Sequence, residues 1–287
     1  MITAAFCLQT VCSGEEPRKE GNKKLEFRVA TYNIRYLAPA DEETGNGWDV
    51  RKEPIKTLIL SHDFDIVGTQ EGYITQLSDL ESLLPGYAYV GAPYAGKNGI
   101  LHNNAIFYKT EKFEALFGGQ FWLSETPEKP SFSWDATDRR MCVWTKFREK
   151  ASGIEFYFFD THFYYRYTIA RRESGKIIVR KIREIAGESP VICVGDFNSK
   201  SDSEQIGDIK TLLSDSFQVT KTPPTGPENT AFPGGVFEGQ PGSRIDYIFV
   251  SKQFTVQDYA VLPDTRSDGK YPSDHLPVTA RLSIDLP

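Results

Sequence analysis

The feature that most restricts the fold of this chain is a set of short apolar runs of β-strand character, each ending in an island of acid, amide or histidine residues. In order the islands are Thr31-Tyr32-Asn33-Ile34-Arg35, Gly68-Thr69-Gln70-Glu71, Asp160-Thr161-His162, Gly195-Asp196-Phe197-Asn198 and Ser273-Asp274-His275. Val191 to Val194 is apolar at every position, the pattern of a strand covered on both faces. Covering layers are available. Apolar residues recur at helical spacing over Trp48 to His62. From Tyr73, Leu77, Leu80 and Leu84 mark one face of a helix ended by Pro85-Gly86, and in Ile169 to Ala186 the residues Ile178, Ile182 and Ile185 lie opposite a basic face. A further helix is predicted over Ser203 to Ser214.

Strands are predicted over Phe27–Tyr36, Asp65–Thr69, Tyr87–Gly91, Asn104–Tyr108, Phe113–Ser124, Met141–Arg148, Ile154–Phe163, Arg244–Ser251, Phe254–Leu262 and Pro277–Ile284. Strand-rich runs with a few amphipathic helices between them predict two sheets packed face to face with helices outside, an α/β sandwich. At 287 residues and 39% hydrophobic content the chain can bury a full core as one domain over residues 25–287. Leu123 to Asp138 and Thr222 to Gly242 are rich in Pro and Gly and lack periodicity, so both read as long loops, the second next to the chemistry.

Residues 1–24 read differently. Met1 to Val11 is apolar and small, followed by Cys12-Ser13-Gly14 and a charged stretch. This resembles the end of a bacterial lipoprotein signal, which implies an exported, cell-envelope or periplasmic protein anchored by lipid at Cys12. A leader with an incidental cysteine is the other reading. After residue 25 nothing approaches the roughly 18 apolar residues of a membrane span, so the mature body is expected to be soluble and monomeric. Cys142 and Cys193 fall in apolar runs and read as buried thiols.

Lys plus Arg total 33 against 39 Asp plus Glu, a net charge of -6, so no global basic field holds a long phosphate backbone. The islands nonetheless contain the parts that hydrolysis of a phosphate ester requires: oxygen ligands for a hard cation, an acid to activate water, and donors for developing charge. Glu71 follows an apolar strand. Asp196 and Asn198 alternate at the end of another, which places both on one face. Pro272 and Pro277 flank Asp274 and His275.

The ordered set Asn33, Gln70-Glu71, Thr161-His162, Gly195-Asp196-Phe197-Asn198, Arg244-Ile245-Asp246-Tyr247 and Ser273-Asp274-His275 resembles the endonuclease/exonuclease/phosphatase family over about Phe27 to Ile284. The resemblance implies a four-layer α/β sandwich of two packed mixed sheets flanked by helices, with the active site at one edge of the sheets. It implies a phosphoesterase dependent on Mg²⁺ or Mn²⁺, with Glu71, Asn33 and Asp274 on the metal side. Asp196 is implied to orient or deprotonate the attacking water and Asn198 to donate to phosphoryl oxygens. His275 is implied as base or charge stabiliser with Asp246 orienting it, and His162 as a donor to phosphate when protonated. Arg140 and Arg51 are looser candidates, for binding phosphate or for structural pairing.

The chain departs from many secreted bacterial members at Asp160-Thr161-His162-Phe163-Tyr164-Tyr165, where they carry Asn-Thr-His-Leu-Asp-His, and at His102, where they tend to carry a Glu. That Glu is the usual partner of the His162 position; Asp160 supplies a nearby charge that would compensate for its loss. Tyr164, Tyr165 and Tyr167 place aromatic bulk at the expected rim. These features favour a small phosphodiester, a lipid head group or a phosphorylated sugar over duplex DNA as substrate. The competing reading is a catalytically degenerate protein that binds a phospholigand on the same fold.

Overall fold

The computed structural model describes residues 24–95 and 101–286. The leader and the lipidation reading at Cys12 lie outside the described residues, and Lys24, assigned above to the tether, is the first residue of a strand.

In chain order the elements are β1 (Lys24–Asn33), α1 (Pro39–Glu43), α2 (Trp48–Ser61), β2 (Ile66–Gly72), α3 (Ile74–Leu83), β3 (Tyr87–Ala95), β4 (Leu101–Lys109), β5 (Phe113–Trp122), β6 (Met141–Glu149), β7 (Glu155–His162), α4 (Thr168–Ala186), β8 (Val191–Asp196), α5 (Glu204–Lys210), β9 (Ser214–Asp215), α6 (Ser216–Val219), β10 (Asp246–Val250), β11 (Thr255–Val261) and β12 (Val278–Asp285). They form two mixed six-stranded sheets, ordered β11-β12-β1-β2-β4-β3 and β5-β6-β7-β8-β10-β9. Each sheet has a parallel pair at its centre, β1 with β2 and β7 with β8.

Alternation along the central strands builds the layers. Val29 of β1 and Ile192 and Val194 of β8 point between the sheets, into a core with Phe113, Phe147, Phe156 and Phe158. The intervening Ala30 and Tyr32 pack on Ile55, Leu58, Leu77 and Leu80 of α2 and α3. On the far side Val191 and Cys193 meet Ile178, Ile182 and Ile206 of α4 and α5. The result is the expected helix–sheet–sheet–helix sandwich. Cys142 and Cys193 are both buried thiols.

Several boundaries differ from the sequence expectation, and three of them have a clear cause in the strand pairing. β2 continues through Gln70 and Glu71 to Gly72, because its register with β4 shifts between Thr69 and Gly72 and the ladder resumes beyond the irregularity. β3 and β4 pair as far as Ala95 with Leu101, beyond the apolar segments that announced them. The helix expected to reach Ser214 stops at Lys210, since Ser214 and Asp215 pair with Val250 and Phe249 at the sheet edge.

Candidate active site

Strand register gathers the islands. His162 is the cross-strand partner of Asp196, and Asp196 is the partner of Asp246, so three candidate site residues sit side by side across β7, β8 and β10. In the other sheet Asn33 is opposite Gln70. The same edge of both sheets therefore carries the polar strand ends, with the 273–275 turn entering from β12.

The local backbone is unusual there. Arg35, Glu71 and Asn198 have φ of 58°, 70° and 47°. Such conformations are uncommon outside glycine and typically cost about 1–3 kcal/mol each, and they concentrate at functional sites. Gly195 has φ of 149°, and a Cβ at this position would lie 2.0 Å from the Thr161 carbonyl oxygen, so only glycine lets β8 approach β7 just before Asp196.

A cleft of about 600 Å³ opens at this edge, lined among others by Glu71, His102, Arg140, His162, Asp196 and His275. Asp196 is its buried centre: Asn33 Nδ2 donates to Oδ2 at 3.1 Å and the Asn198 N–H donates to Oδ1 at 2.9 Å. His162 Nε2 lies 3.4 Å and His275 Nε2 3.8 Å from the same Oδ2. Burial, reinforced by the Asp246 charge, pushes the Asp196 carboxyl up to about 7.

His275 Nδ1 lies 2.9 Å from Asp246 Oδ2, which also accepts from Thr230 Oγ1 at 2.5 Å. Burial opposes charge on this imidazole, but Asp246 and Asp196 outweigh it and raise its pKa well above the ordinary value, which favours the imidazolium. Burial acts the other way on His162. There it is joined by the charges of Arg140, His102 and His275 and holds the ring neutral. The resemblance implied donation from a protonated His162, and burial works against that protonation here.

Glu71 lines the cleft and accepts from the Tyr36 N–H at 3.3 Å. Burial disfavours its charge, yet His102, His275, Arg35 and an Asn33 hydrogen bond keep its carboxyl below the usual range. Asn33 itself is buried behind the cleft, its Oδ1 accepting from the Arg35 N–H at 3.1 Å. Asp274 also sits back from the opening, where Arg35 Nη1 donates to its Oδ2 at 2.9 Å. Asn198 Nδ2 donates to the Phe163 carbonyl at 3.1 Å while its side chain lines the cleft.

The looser candidates separate. Arg51 is fully buried and donates to the carbonyls of Asn46, Ile34, Arg35, Tyr36 and Pro272, which ties the end of β1 to the 273–275 turn; it does not line the cleft. Arg140 does, and makes no ion pair among the described residues. Tyr164 forms wall more than rim: it is buried, its hydroxyl 2.9 Å from Thr137 Oγ1, with Arg140 over its ring at 5.9 Å. Tyr165 and Tyr167 are exposed.

Asp160 does not serve the cleft. Alternation along β7 turns it between the sheets, where Oδ1 accepts from Gln70 Nε2 at 2.6 Å, and burial pushes its carboxyl well above the ordinary range. Burial favours its neutral form, and its place between the sheets keeps it from standing in for the missing glutamate. Sequence reasoning did not single out Tyr36, Tyr73, Tyr94 or Arg166. Tyr36, Tyr73 and His102 cluster with ring centroids 5.0–6.1 Å apart on the cleft wall. Tyr36 directly follows a singled-out island and Arg166 lies between the rim candidates Tyr165 and Tyr167, the signals that could have found these two.

The model of the endonuclease/exonuclease/phosphatase family matches residues 30–275. Among similar solved structures is an endonuclease/exonuclease/phosphatase family protein from Bacteroides thetaiotaomicron, 37% identical with a TM-score of 0.85, the match covering 92% of this chain and 100% of that one. Another is the Bacteroides thetaiotaomicron mannosyl-6-phosphatase, 37% identical with a TM-score of 0.83 over 89% of this chain and 99% of that one. Nocturnin of Drosophila melanogaster is 27% identical over 166 residues, which is 53% of this chain and 24% of that protein, so this chain spans about a quarter of it.

Proposed function

Because the chain belongs to the endonuclease/exonuclease/phosphatase family, whose members are phosphoesterases, we propose that it hydrolyses a small phosphorylated sugar with the help of Mg²⁺ or Mn²⁺. The observation that carries this reading is the convergence of Asp196, the Asp246–His275 pair, His162 and Glu71 on one cleft. The donor set fits a hard divalent cation: Glu71 is a carboxylate favoured in its ionised form by neighbouring donors and positive groups, it faces the cleft, and Mg²⁺ is usually held by one or two carboxylates and water. Glu71 would hold the ion, with Asn33 and Asp274 behind it. Such an ion supplies Lewis-acid polarisation of phosphoryl oxygens.

The chain's own groups divide the remaining work. Asp196, with a pKa near neutrality, takes the proton of the attacking water. The imidazolium of His275, fixed by Asp246 through Nδ1, directs its Nε2–H at the oxygens on which charge develops. His162 adds a neutral donor, and Asn198 an amide at the same face.

Three features support a small sugar ester. The cleft has the volume of a small-ligand site, which typically spans roughly 300–1,000 Å³. Its wall offers the Tyr36, Tyr73 and Tyr164 rings beside Arg140, a mixture of apolar faces and donors suited to a sugar. The similar mannosyl-6-phosphatase acts, by its name, on such an ester.

The test is turnover of mannose 6-phosphate, other sugar phosphates, inositol phosphates, sphingomyelin, bis-nitrophenyl phosphate, RNA and single- and double-stranded DNA in Mg²⁺, Mn²⁺ or EDTA, with Asp196→Ala alongside. Metal-dependent release of phosphate from sugar esters that disappears in the variant is expected. Tight binding without product in either metal would favour the degenerate binding protein, and turnover of nucleic acid alone would reassign the substrate.

A further inference from the structure

His162 lacks the carboxylate partner that the family resemblance implies, because the corresponding position is His102. The His102 ring stacks on Tyr94, centroids 5.6 Å apart, and its buried Nδ1 has no partner among the described residues. The group that meets His162 is instead the Tyr94 hydroxyl, 3.2 Å from Nδ1. Arg140 Nη1 donates to the same hydroxyl oxygen at 3.1 Å.

Donor and acceptor roles along this chain follow from the partners present. A guanidinium N–H only donates, so the Tyr94 oxygen accepts from Arg140; among the described residues the hydroxyl has no partner besides Arg140 and His162 Nδ1, so its own proton is used only if it goes to that nitrogen. Nδ1 must then be the acceptor, and the neutral ring carries its proton on Nε2, the nitrogen that faces Asp196 Oδ2 at 3.4 Å. We propose that Tyr94, itself oriented by Arg140, is the positioning residue that fixes His162 as the Nε2–H tautomer and aims that N–H into the cleft, in place of a carboxylate.

The replacement has a chemical consequence. A carboxylate beside Nδ1 would favour the imidazolium, whereas a phenol orients the ring without adding negative charge. Tyr94 is fully buried, and burial pushes its pKa up, so it keeps the proton it needs to donate. Arg140, unpaired with any described carboxylate, carries the cationic charge at this wall instead. The inference rests on the phosphoesterase reading for its kinetic part only.

The tautomer is read directly by long-range ¹H–¹⁵N correlation of the side-chain imidazoles in the full chain. With four histidines in the sequence, His162→Gln identifies the His162 signals by their loss. At neutral pH His162 is expected to show an unprotonated Nδ1 and a protonated Nε2, and Tyr94→Phe to convert this to a mixture of tautomers. In turnover of the substrate found above, Tyr94→Phe should lower kcat by about 10-fold or more with KM changed by less than about threefold, as for loss of a group orienting a site histidine. In the His162→Gln background the same change should add less than about twofold.

A wild-type His162 protonated on Nδ1 or on both nitrogens overturns the proposal, whether or not Tyr94→Phe folds. Independent, multiplicative effects of the two substitutions overturn it as well. Because the imidazole signals need no turnover, a protein with the Nε2–H tautomer and no activity would refute the phosphoesterase reading while leaving this hydrogen-bond chain standing.

Discussion

Asn33 and Asp196, 163 residues apart in the sequence, meet through a 3.1 Å hydrogen bond from Nδ2 to Oδ2 that joins the end of one sheet to the end of the other. The site exists only where the two sheets are packed, so its groups can be tested for chemistry separately from the fold. Asp196→Asn keeps the size but removes the acid, and its single carbonyl oxygen can accept from Asn33 Nδ2 or from the Asn198 N–H but not from both. Turnover is expected to fall by about 10²–10⁴-fold, the range for loss of a general base. The amide relieves the cost of burying a carboxyl with a raised pKa but sets its NH2 against one of two donors, so the melting temperature should stay within a few degrees of wild type and thermal melts separate a loss of chemistry from a loss of fold. Activity within tenfold of wild type would remove Asp196 from the mechanism.

The pH profile follows from the same group. Asp196 must be ionised to accept a proton, and burial with the Asp246 charge sets its pKa at about 7, so kcat/KM should rise with pH through an acid limb at or below that value. A cation bound at Glu71 favours the carboxylate and can only lower the limb. A limb well above 7 in either Mg²⁺ or Mn²⁺ would contradict the assignment.

Asp246→Asn should move both sides of the profile together. The Asp246 charge is a leading cause of the raised pKa of Asp196 and, burial apart, the foremost support of the raised pKa of His275. Its loss lowers both: Asp196 ionises at lower pH, and His275 gives up its proton at lower pH. The whole bell is therefore expected to shift toward acid, with its maximum reduced about 10–100-fold, as is typical when a histidine loses its orienting carboxylate. A fall in rate without a shift would mean that Asp246 acts only as a spacer.

Much of this was legible because the chemistry sits at strand ends. Apolar runs stopping in Glu71, His162 and Asp196 betray both the strand and the group it carries, and the four-layer packing follows from Val191–Val194 and the flanking helical faces. Residues whose role depends on register or on a neighbour were not legible. Arg51 read as a phosphate binder or a structural cation; only the fold brings five carbonyl oxygens to it. Tyr94 lies in a strand extended by pairing with β4, and nothing near it in sequence points to His162. Asp160, two residues before His162, read as a partner for it, whereas side chains alternate along β7 and send Asp160 into the inter-sheet core.

Asp160 supplies a test of stability independent of activity. Its carboxyl is fully buried, Oδ1 accepts from Gln70 Nε2, and Asp160 Oδ2 and Gln70 Oε1 have no partner among the described residues. Its folded-state pKa is raised well above that of the unfolded chain, about 4. The stability contributed by the neutral acid is therefore complete below about pH 4 and is lost progressively as pH climbs toward the folded-state value, by up to about 1.4 kcal/mol per pH unit. Asp160→Asn has no proton to lose, and its Nδ2 offers a donor to Gln70 Oε1 while its Oδ1 still accepts. The variant should match wild type near pH 4 and gain on it steadily as pH rises to 7 and beyond. Denaturant melts at several pH values measure the difference; a gap that is constant with pH would mean that Asp160 is ionised in the folded protein and would overturn its reading as a neutral acid.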